Sequence, residues 1–281
     1  MTLDAPAKVN LSLRITGRRA DGYHDLETFM VPLALADRLR IDLSAEPGVR
    51  FQCSDQTLPV DGANLAVRAA QSFFEATGWS SGISMTLEKR IPHGAGLGGG
   101  SSDAAAVLVG LNMLSGLGLG MADLENMAAG IGSDVPFFVR CVPAICRGRG
   151  ERIEPVARPP EGEILLVKPP FPVPTAWAYA EWARGRYSSA TTGQNPCWNE
   201  CVNDLELPVF AKFLVLPALR DWLREQPGVR CSMLSGSGST VFALLEGDRS
   251  QDWERRVAEA FGPTFWTCQT RLAAGRSDCG N

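Results

Sequence analysis

Five glycines fall within the seven residues of "GAGLGGG", Gly94 to Gly100, and "SSDAAAVL" follows directly. A glycine-rich turn that feeds a helix can aim successive backbone N–H groups at one point, where the partial positive charge of the helix terminus adds to them. The product is an anion cradle. A side chain there would hold phosphate oxygens away from the backbone, and Ser101 and Ser102 add hydroxyls that can reach a phosphate or its magnesium ion. Read without a ligand, the run is a tight strand-to-helix connection, and a connector does not need glycines in this number. Two other phosphate motifs fail. Gly94, Gly96 and Gly99 satisfy GxGxxG, but the acidic residue expected after a second strand is absent, since Asp123 lies inside a helical segment. The Walker pattern lacks its lysine before Ser101.

Phosphoryl transfer to an alcohol asks the protein to align the acceptor, remove its proton and stabilise migrating charge. One carboxylate and one cation suffice. Asp134 in "GSDVPFF" is a candidate base, and Lys8 in "AKVNLSLRI" a candidate cation. Each also has a plain structural reading, as a helix-capping aspartate and as an exposed strand lysine. Spacing alone does not bring them together. Cysteine chemistry is less promising: Cys141 and Cys146 stand in "CVPAIC", and Cys197 and Cys201 in "CWNEC", with two histidines in the chain, His24 and His93, and no paired CxxC knuckle. No metal site is expected, and free thiols are.

The elements that must carry these residues are legible in outline. In "AKVNLSLRI" Val9, Leu11, Leu13 and Ile15 alternate with Lys8, Asn10, Ser12 and Arg14, so Lys8 and Asn10 look the same way from a half-buried strand. "NLAVRAAQSFFEATG" reads as a helix with Asn64 as N-cap and Gly78 as stop. "GISMTLEKRI" is a strand leading into the glycines, and the next helix opens with Ser101 or Ser102 as cap and closes near Gly116. A helix over "MADLENMAAG" precedes "IGSDVPFFV", where Pro136 biases Val135 away from helical dihedrals. The polar, proline-rich "RGERIEPVARPPEG" marks a domain boundary, giving domains 1–156 and 157–281. Beyond it come a strand at "EILLVKP", helices near 175–184 and 203–226, strands at "VRCSML" and "TVFALLE", a helix over 251–261 and a strand at "FWTCQTRLA". Helices beside an antiparallel sheet predict an α+β second domain.

Composition limits the function classes. Lys plus Arg total 27 against 31 Asp plus Glu, a net charge of -4, so no global basic field favours nucleic acid or anionic lipid. The N-terminus lacks a signal-peptide pattern and no apolar run approaches a membrane span, so a cytoplasmic location with no membrane partner is expected.

"PHGAGLGGGSSDAA" resembles the phosphate-binding motif of the GHMP kinase superfamily, in which proline, glycine loop, paired serine and helix occur in this order. "APAKVNLSLRITGRRADGYHDLET", "GSDVPFF" and "LSGSGSTVF" extend the likeness from end to end, toward the branch whose acceptor alcohol carries a cytidine diphosphate group in isoprenoid precursor synthesis. The resemblance implies a two-domain α+β architecture, a ribosomal-protein-type N-terminal domain and a ferredoxin-like C-terminal domain, with the active site between them. It implies ATP as phosphoryl donor, carrying magnesium, and a monomer or weak homodimer. Lys8 and Asp134 would be the catalytic pair. Pro92, Gly94, Ala95, Gly96, Leu97, Gly98, Gly99, Gly100, Ser101 and Ser102 would hold ATP, with Asn64 and Lys89 near its adenosine. Asn10 and Thr175 would place the acceptor, Tyr23 and Tyr179 would sandwich the cytosine, and His24 would hydrogen-bond the pyrimidine edge. The alternatives are a superfamily kinase acting on a mevalonate derivative, homoserine or a sugar, and a non-catalytic nucleotide binder. "RADGYH" and the paired tyrosines favour the cytidine acceptor.

Overall fold

The computed structural model describes residues 1–157, 160–185, 201–246 and 251–275. The alternating N-terminal segment forms β1 (Thr2–Arg18), which pairs antiparallel with β2 (His24–Ser44) over nearly its whole length. Beyond β2 come β3 (Val49–Cys53), β4 (Gly82–Glu88), β5 (Ala144–Gly148) and β6 (Arg152–Pro155). The second edge of β2 is shared, by β5 at its start and β4 at its end, while β3 lies parallel to β4 and β6 closes on β5.

Helices α1 (Leu65–Thr77), α2 (Gly99–Ser115), α3 (Met121–Ile131) and α4 (Val135–Arg140) pack on this sheet. Asn64 caps α1 as expected, its side chain accepting the Ala66 N–H at 3.0 Å, and Gly78 ends it in the left-handed conformation. Ala104 to Leu108 are five consecutive buried residues, because α2 is surrounded on all sides, and the alanines let its neighbours approach. The cap of α2 differs from expectation: it is Gly98, and the Ser102 N–H already donates to Gly98 O, so both serines lie within the first turn. Val135 is helical despite Pro136, which sits in the first turn where a missing N–H leaves no bond unmade.

The second sheet consists of β7 (Glu163–Lys168), β8 (Val229–Leu234), β9 (Val241–Leu245) and β10 (Trp266–Arg271) in the order β10-β7-β9-β8, all antiparallel. Helices α5 (Thr175–Arg184), α6 (Glu206–Lys212) and α7 (Val215–Arg224) separate β7 from β8, and α8 (Trp253–Phe261) separates β9 from β10. This is the split βαβ arrangement of a ferredoxin-like domain. The helix expected over 203–226 is broken at Phe213 and Leu214, which puts Pro208 and Pro217 each into a first turn.

A third apolar cluster joins the two sheets, with Val9, Leu11, Phe29 and Val31 facing Ile164, Leu166, Met233 and Phe242. β1 is therefore covered on both faces, and its polar face is buried rather than solvated. Cys201 and Cys231 form a disulfide where free thiols were expected; Cys53, Cys146 and Cys268 are free, and Cys197 and Cys279 lie outside the described residues. The chain brings the segment before α6 over β8, a proximity that spacing cannot show. Among the described residues no helix is long and apolar enough to cross a membrane.

Candidate active site

A cleft of about 1260 Å³ runs along the junction of the two sheets. The glycine run forms its floor, and two of its glycines are compelled. Gly96 has φ +74°, and a Cβ there would lie 2.2 Å from Ser235 O; Gly98 has φ +72°, and its Cβ would lie 2.7 Å from the Phe138 ring and 3.2 Å from Lys8 Cε. The two interruptions have the opposite task. Ala95 and Leu97 are buried in the cluster between the sheets, so the loop is anchored by its side chains and offers the cleft its backbone. The loop over 235–240 pins it from the other domain: Ser235 Oγ donates to Gly96 O at 3.1 Å and the Thr240 N–H to Ala95 O at 3.2 Å.

Lys8 reaches the cleft from β1. Register shifts bracket residues 8 to 10, and between them the regular pairing keeps Lys8 and Asn10, two residues apart, on one face. The Lys8 ammonium donates to Asn10 Oδ1 at 2.7 Å and to Gly96 O at 3.1 Å, and lies 3.6 Å from Asp134 Oδ2. Asn10 Nδ2 donates to Thr28 Oγ1, which donates to Ser12 O, so the amide is oriented with its oxygen on the lysine. Asp134 does not cap α4 with its side chain; the carboxylate turns to Lys8 instead. Below the pair, burial and the Asp134 charge push the Cys146 thiol up, so it stays protonated.

At the far end stand the "RADGYH" residues and α5. Tyr179 stacks on His24 with ring centroids 5.6 Å apart, and Trp182 meets His24 edge-on. Burial, helped by Arg18, holds the His24 imidazole below its ordinary range, and its Nε2 is buried without a hydrogen-bond partner. Tyr23 is exposed, with the Arg149 guanidinium 4.8 Å from its ring centroid, and it lines the same cleft as Tyr179. Thr175 Oγ1 meets Ser237 Oγ at 2.9 Å across the cleft wall.

The chain matches the models described as GHMP kinases N terminal domain over residues 64–141 and GHMP kinases C terminal over residues 192–263. A 4-diphosphocytidyl-2-C-methyl-D-erythritol kinase from Methylacidiphilum infernorum is 42% identical over 271 residues, covering 93% of each chain. One from Citrifermentans bemidjiense is 40% identical over 254 residues, covering 88% of this chain and 90% of its own. A crystal structure of 4-(cytidine 5'-diphospho)-2C-methyl-D-erythritol kinase is 38% identical with a TM-score of 0.77, covering 98% of this chain and 100% of that one. The chain belongs to the 4-diphosphocytidyl-2-C-methyl-D-erythritol kinase family. Its fold is the two-domain α+β architecture of the GHMP kinases. A homoserine kinase from Cytophaga hutchinsonii, 17% identical with a TM-score of 0.73 over 99% of this chain and 95% of that one, shares that fold.

In this member of the 4-diphosphocytidyl-2-C-methyl-D-erythritol kinase family the one expected site residue outside the cleft is Ser102, which is fully buried in α2. Ser101, one position earlier, lines the cleft, since neighbouring helical residues point about a quarter-turn apart. Asn64 lines it from the start of α1, while its side chain is engaged as cap. Lys89 also lines it, but is held by two buried carboxylates, Asp37 and Asp103. Three contributors were missed by sequence reasoning: Thr28, which orients Asn10; Gly236, whose Cβ would stand 3.3 Å from Asn10 Oδ1; and Asn203, which donates to Leu234 O and Gly236 O. Thr28 and Gly236 lie within two segments that carry the family resemblance, "APAKVNLSLRITGRRADGYHDLET" and "LSGSGSTVF", but no role was read for either residue.

Proposed function

We propose that this kinase transfers the γ-phosphate of ATP to the 2-hydroxyl of 4-diphosphocytidyl-2-C-methyl-D-erythritol, in the methylerythritol phosphate route to isoprenoid precursors. The observation that carries the reading is the 3.6 Å Lys8–Asp134 pair at the mouth of the glycine cradle. It shares one cleft with the His24–Tyr179 stack, so a donor and a nucleoside-bearing acceptor can meet there.

In this reading, backbone N–H groups of the cradle and the α2 terminus receive the phosphates of ATP. Tyr179 and Tyr23 offer ring faces to the cytosine, and His24 Nε2 meets its polar edge. The acceptor hydroxyl oxygen bonds to the γ-phosphorus as the bond to the β,γ-bridging oxygen breaks, and ADP leaves with that electron pair. The hydroxyl proton passes to the Asp134 carboxylate. Lys8, held in place by Asn10 and Gly96 O, faces the developing negative charge. Burial and the Asp134 charge push the Tyr179 phenol up, so it stays protonated and does not compete as base.

Magnesium fits this site as an ion carried by the nucleotide. Among the described residues no group of three or more His, Cys, Asp or Glu could hold it, and magnesium at phosphates needs few protein oxygens. The Ser101 hydroxyl and the Asp134 carboxylate, both lining the cleft, are the oxygens that would serve. Bound there, the ion would neutralise phosphate charge. The test is ADP release with the cytidine-bearing acceptor beside homoserine, mevalonate and galactose. Turnover with the first alone is expected; equal turnover with any other would overturn the acceptor assignment.

A further inference from the structure

An acceptor whose cytosine lies at the His24–Tyr179 stack and whose hydroxyl meets Asp134 carries its diphosphate between the two. The negative charge on each phosphate needs a counter-charge midway along the cleft, the more so because Asp134 is itself a carboxylate. Five lysines and arginines line the cleft: Lys8, Arg18, Lys89, Arg149 and Arg184. Lys8 is bound to Asn10, Gly96 O and Asp134, Lys89 to Asp37 and Asp103, and Arg184 to Glu181. Arg18 is exposed at the end of β1, paired with His24 across the strands. Arg149 is half-buried and forms no ion pair among the described residues; its guanidinium rests on the Tyr23 ring instead.

Arg149 stands in the turn that joins β5 to β6. Gly148 and Gly150 flank it with φ +73° and +116°, and the Gly150 N–H donates to Arg147 O at 3.2 Å. Glu151 closes the turn: its Oε2 accepts the Arg149 backbone N–H at 2.6 Å, and a Cβ on Gly148 would lie 2.6 Å from its Oε1. That carboxylate is therefore engaged by the backbone and leaves the guanidinium unpaired. At the other end of the site, a Cβ on Gly150 would lie 3.4 Å from Ser133 O and 3.7 Å from Asp134 Oδ1. The Arg149 guanidinium carbon is 4.8 Å from the Tyr23 ring centroid, and Asp21, two residues before Tyr23, is held by Arg19. Arg149 thus starts beside Asp134 and ends over Tyr23, which is the interval the diphosphate has to cross. A guanidinium that lays its face on a ring keeps its N–H groups at the edge of the plane, where they can donate in pairs to phosphate oxygens.

We propose that the Arg149 guanidinium binds the acceptor's diphosphate and so selects acceptors in which a diphosphate joins the nucleoside to the alcohol. This rests on reading the cleft as the site of a cytidine-bearing acceptor. The guanidinium face steadies Tyr23, its edge donates to phosphate oxygens, and its charge offsets theirs beside Asp134. Arg147, two residues earlier, has the same charge but is already held by Glu27 and Glu154, so it has no part in this contact.

Cytidine and cytidine diphosphate, each titrated as an inhibitor competing with the acceptor at saturating MgATP, separate the diphosphate contact from the cytosine contact. In the full-length wild-type chain the diphosphate is expected to inhibit at least about tenfold more tightly than cytidine. In Arg149→Ala the inhibition constant for cytidine diphosphate, and the KM for the acceptor, should rise by about 10–100-fold, while that for cytidine moves by no more than about twofold, so the preference collapses. Arg149→Lys, which keeps the charge without the paired donors, should fall between the two and covers the case in which the alanine variant does not fold. Arg147→Ala, which removes an equal charge from the same hairpin, should keep the wild-type preference. A preference retained in folded Arg149→Ala overturns the proposal, and so does an equal loss of both inhibitors, which would show that Arg149 acts only by steadying Tyr23. Failure of both compounds to compete with the acceptor in the wild type would overturn the acceptor reading instead.

Discussion

The Asp134 side chain keeps 35% of its surface open, while the Lys8 side chain beside it keeps 5%. That asymmetry divides their work. An enclosed ammonium with three partners holds charge in place, and a carboxylate open to the cleft can meet a hydroxyl. Asp134→Asn is expected to lower kcat by about 10²–10⁴-fold with little change in KM for ATP, because an amide cannot take the proton. Steady-state ADP release on the folded variant checks this, and near-normal turnover would remove Asp134 as base. His24 gives a pH prediction. Its imidazole titrates below the ordinary range because of burial and Arg18, so it is neutral at pH 7 and charges only as pH falls through that depressed value. Acceptor affinity should therefore be flat above neutrality and weaken on the acid side. His24→Asn should remove this acid limb from the pH profile of KM for the acceptor.

At the scale of elements, the cradle works because β4 and α2 are joined by a loop whose side chains are in the core and whose backbone is in the cleft. Gly98 is the point where both demands meet: positive φ, the Phe138 ring on one side and the Lys8 stem on the other. Gly98→Ala is expected to destabilise by about 1–3 kcal/mol and to impair ATP use and turnover together, since relief requires moving Lys8. Gly116→Ala is the contrast. It also has positive φ, at the end of α2, but a Cβ there meets nothing within 4 Å, so stability should fall by about 1 kcal/mol with the KM for ATP unchanged. Thermal midpoints and ATP titrations of the pair separate strain from site damage.

Besides the apolar cluster between the sheets, buried hydrogen bonds join the two domains. Leu13 on β1 exchanges backbone hydrogen bonds with the 202–204 segment, its N–H donating to Val202 O and its O accepting the Asp204 N–H; Asn203 from that segment donates to the loop carrying Gly236. The Cys201–Cys231 disulfide closes this segment onto β8, spanning 30 residues. Cross-linking a loop of that length restricts the unfolded chain by roughly 2–4 kcal/mol. Cys201→Ser should lower the denaturant midpoint by a corresponding amount relative to the oxidised protein and lose the dependence on added reductant. An oxidised midpoint equal to that of the variant would show that this link does not stabilise the fold.

What the sequence determined by itself is local. The common face of Lys8 and Asn10 follows from a period of two, the Asn64 cap and the Gly78 and Gly116 stops from side-chain and φ preferences, and the cradle from glycines ahead of a helix. Each is decided within a few residues, where dihedral preference and short-range hydrogen bonding dominate. What only the tertiary structure decided is which distant groups meet. It buried the polar face of β1, turned Asp134 from a cap into Lys8's partner, and faced Ser102 inward. It also set Lys89 between two carboxylates and joined Cys201 to Cys231. These depend on the packing of one sheet on the other, a long-range balance of burial and charge that no segment carries alone.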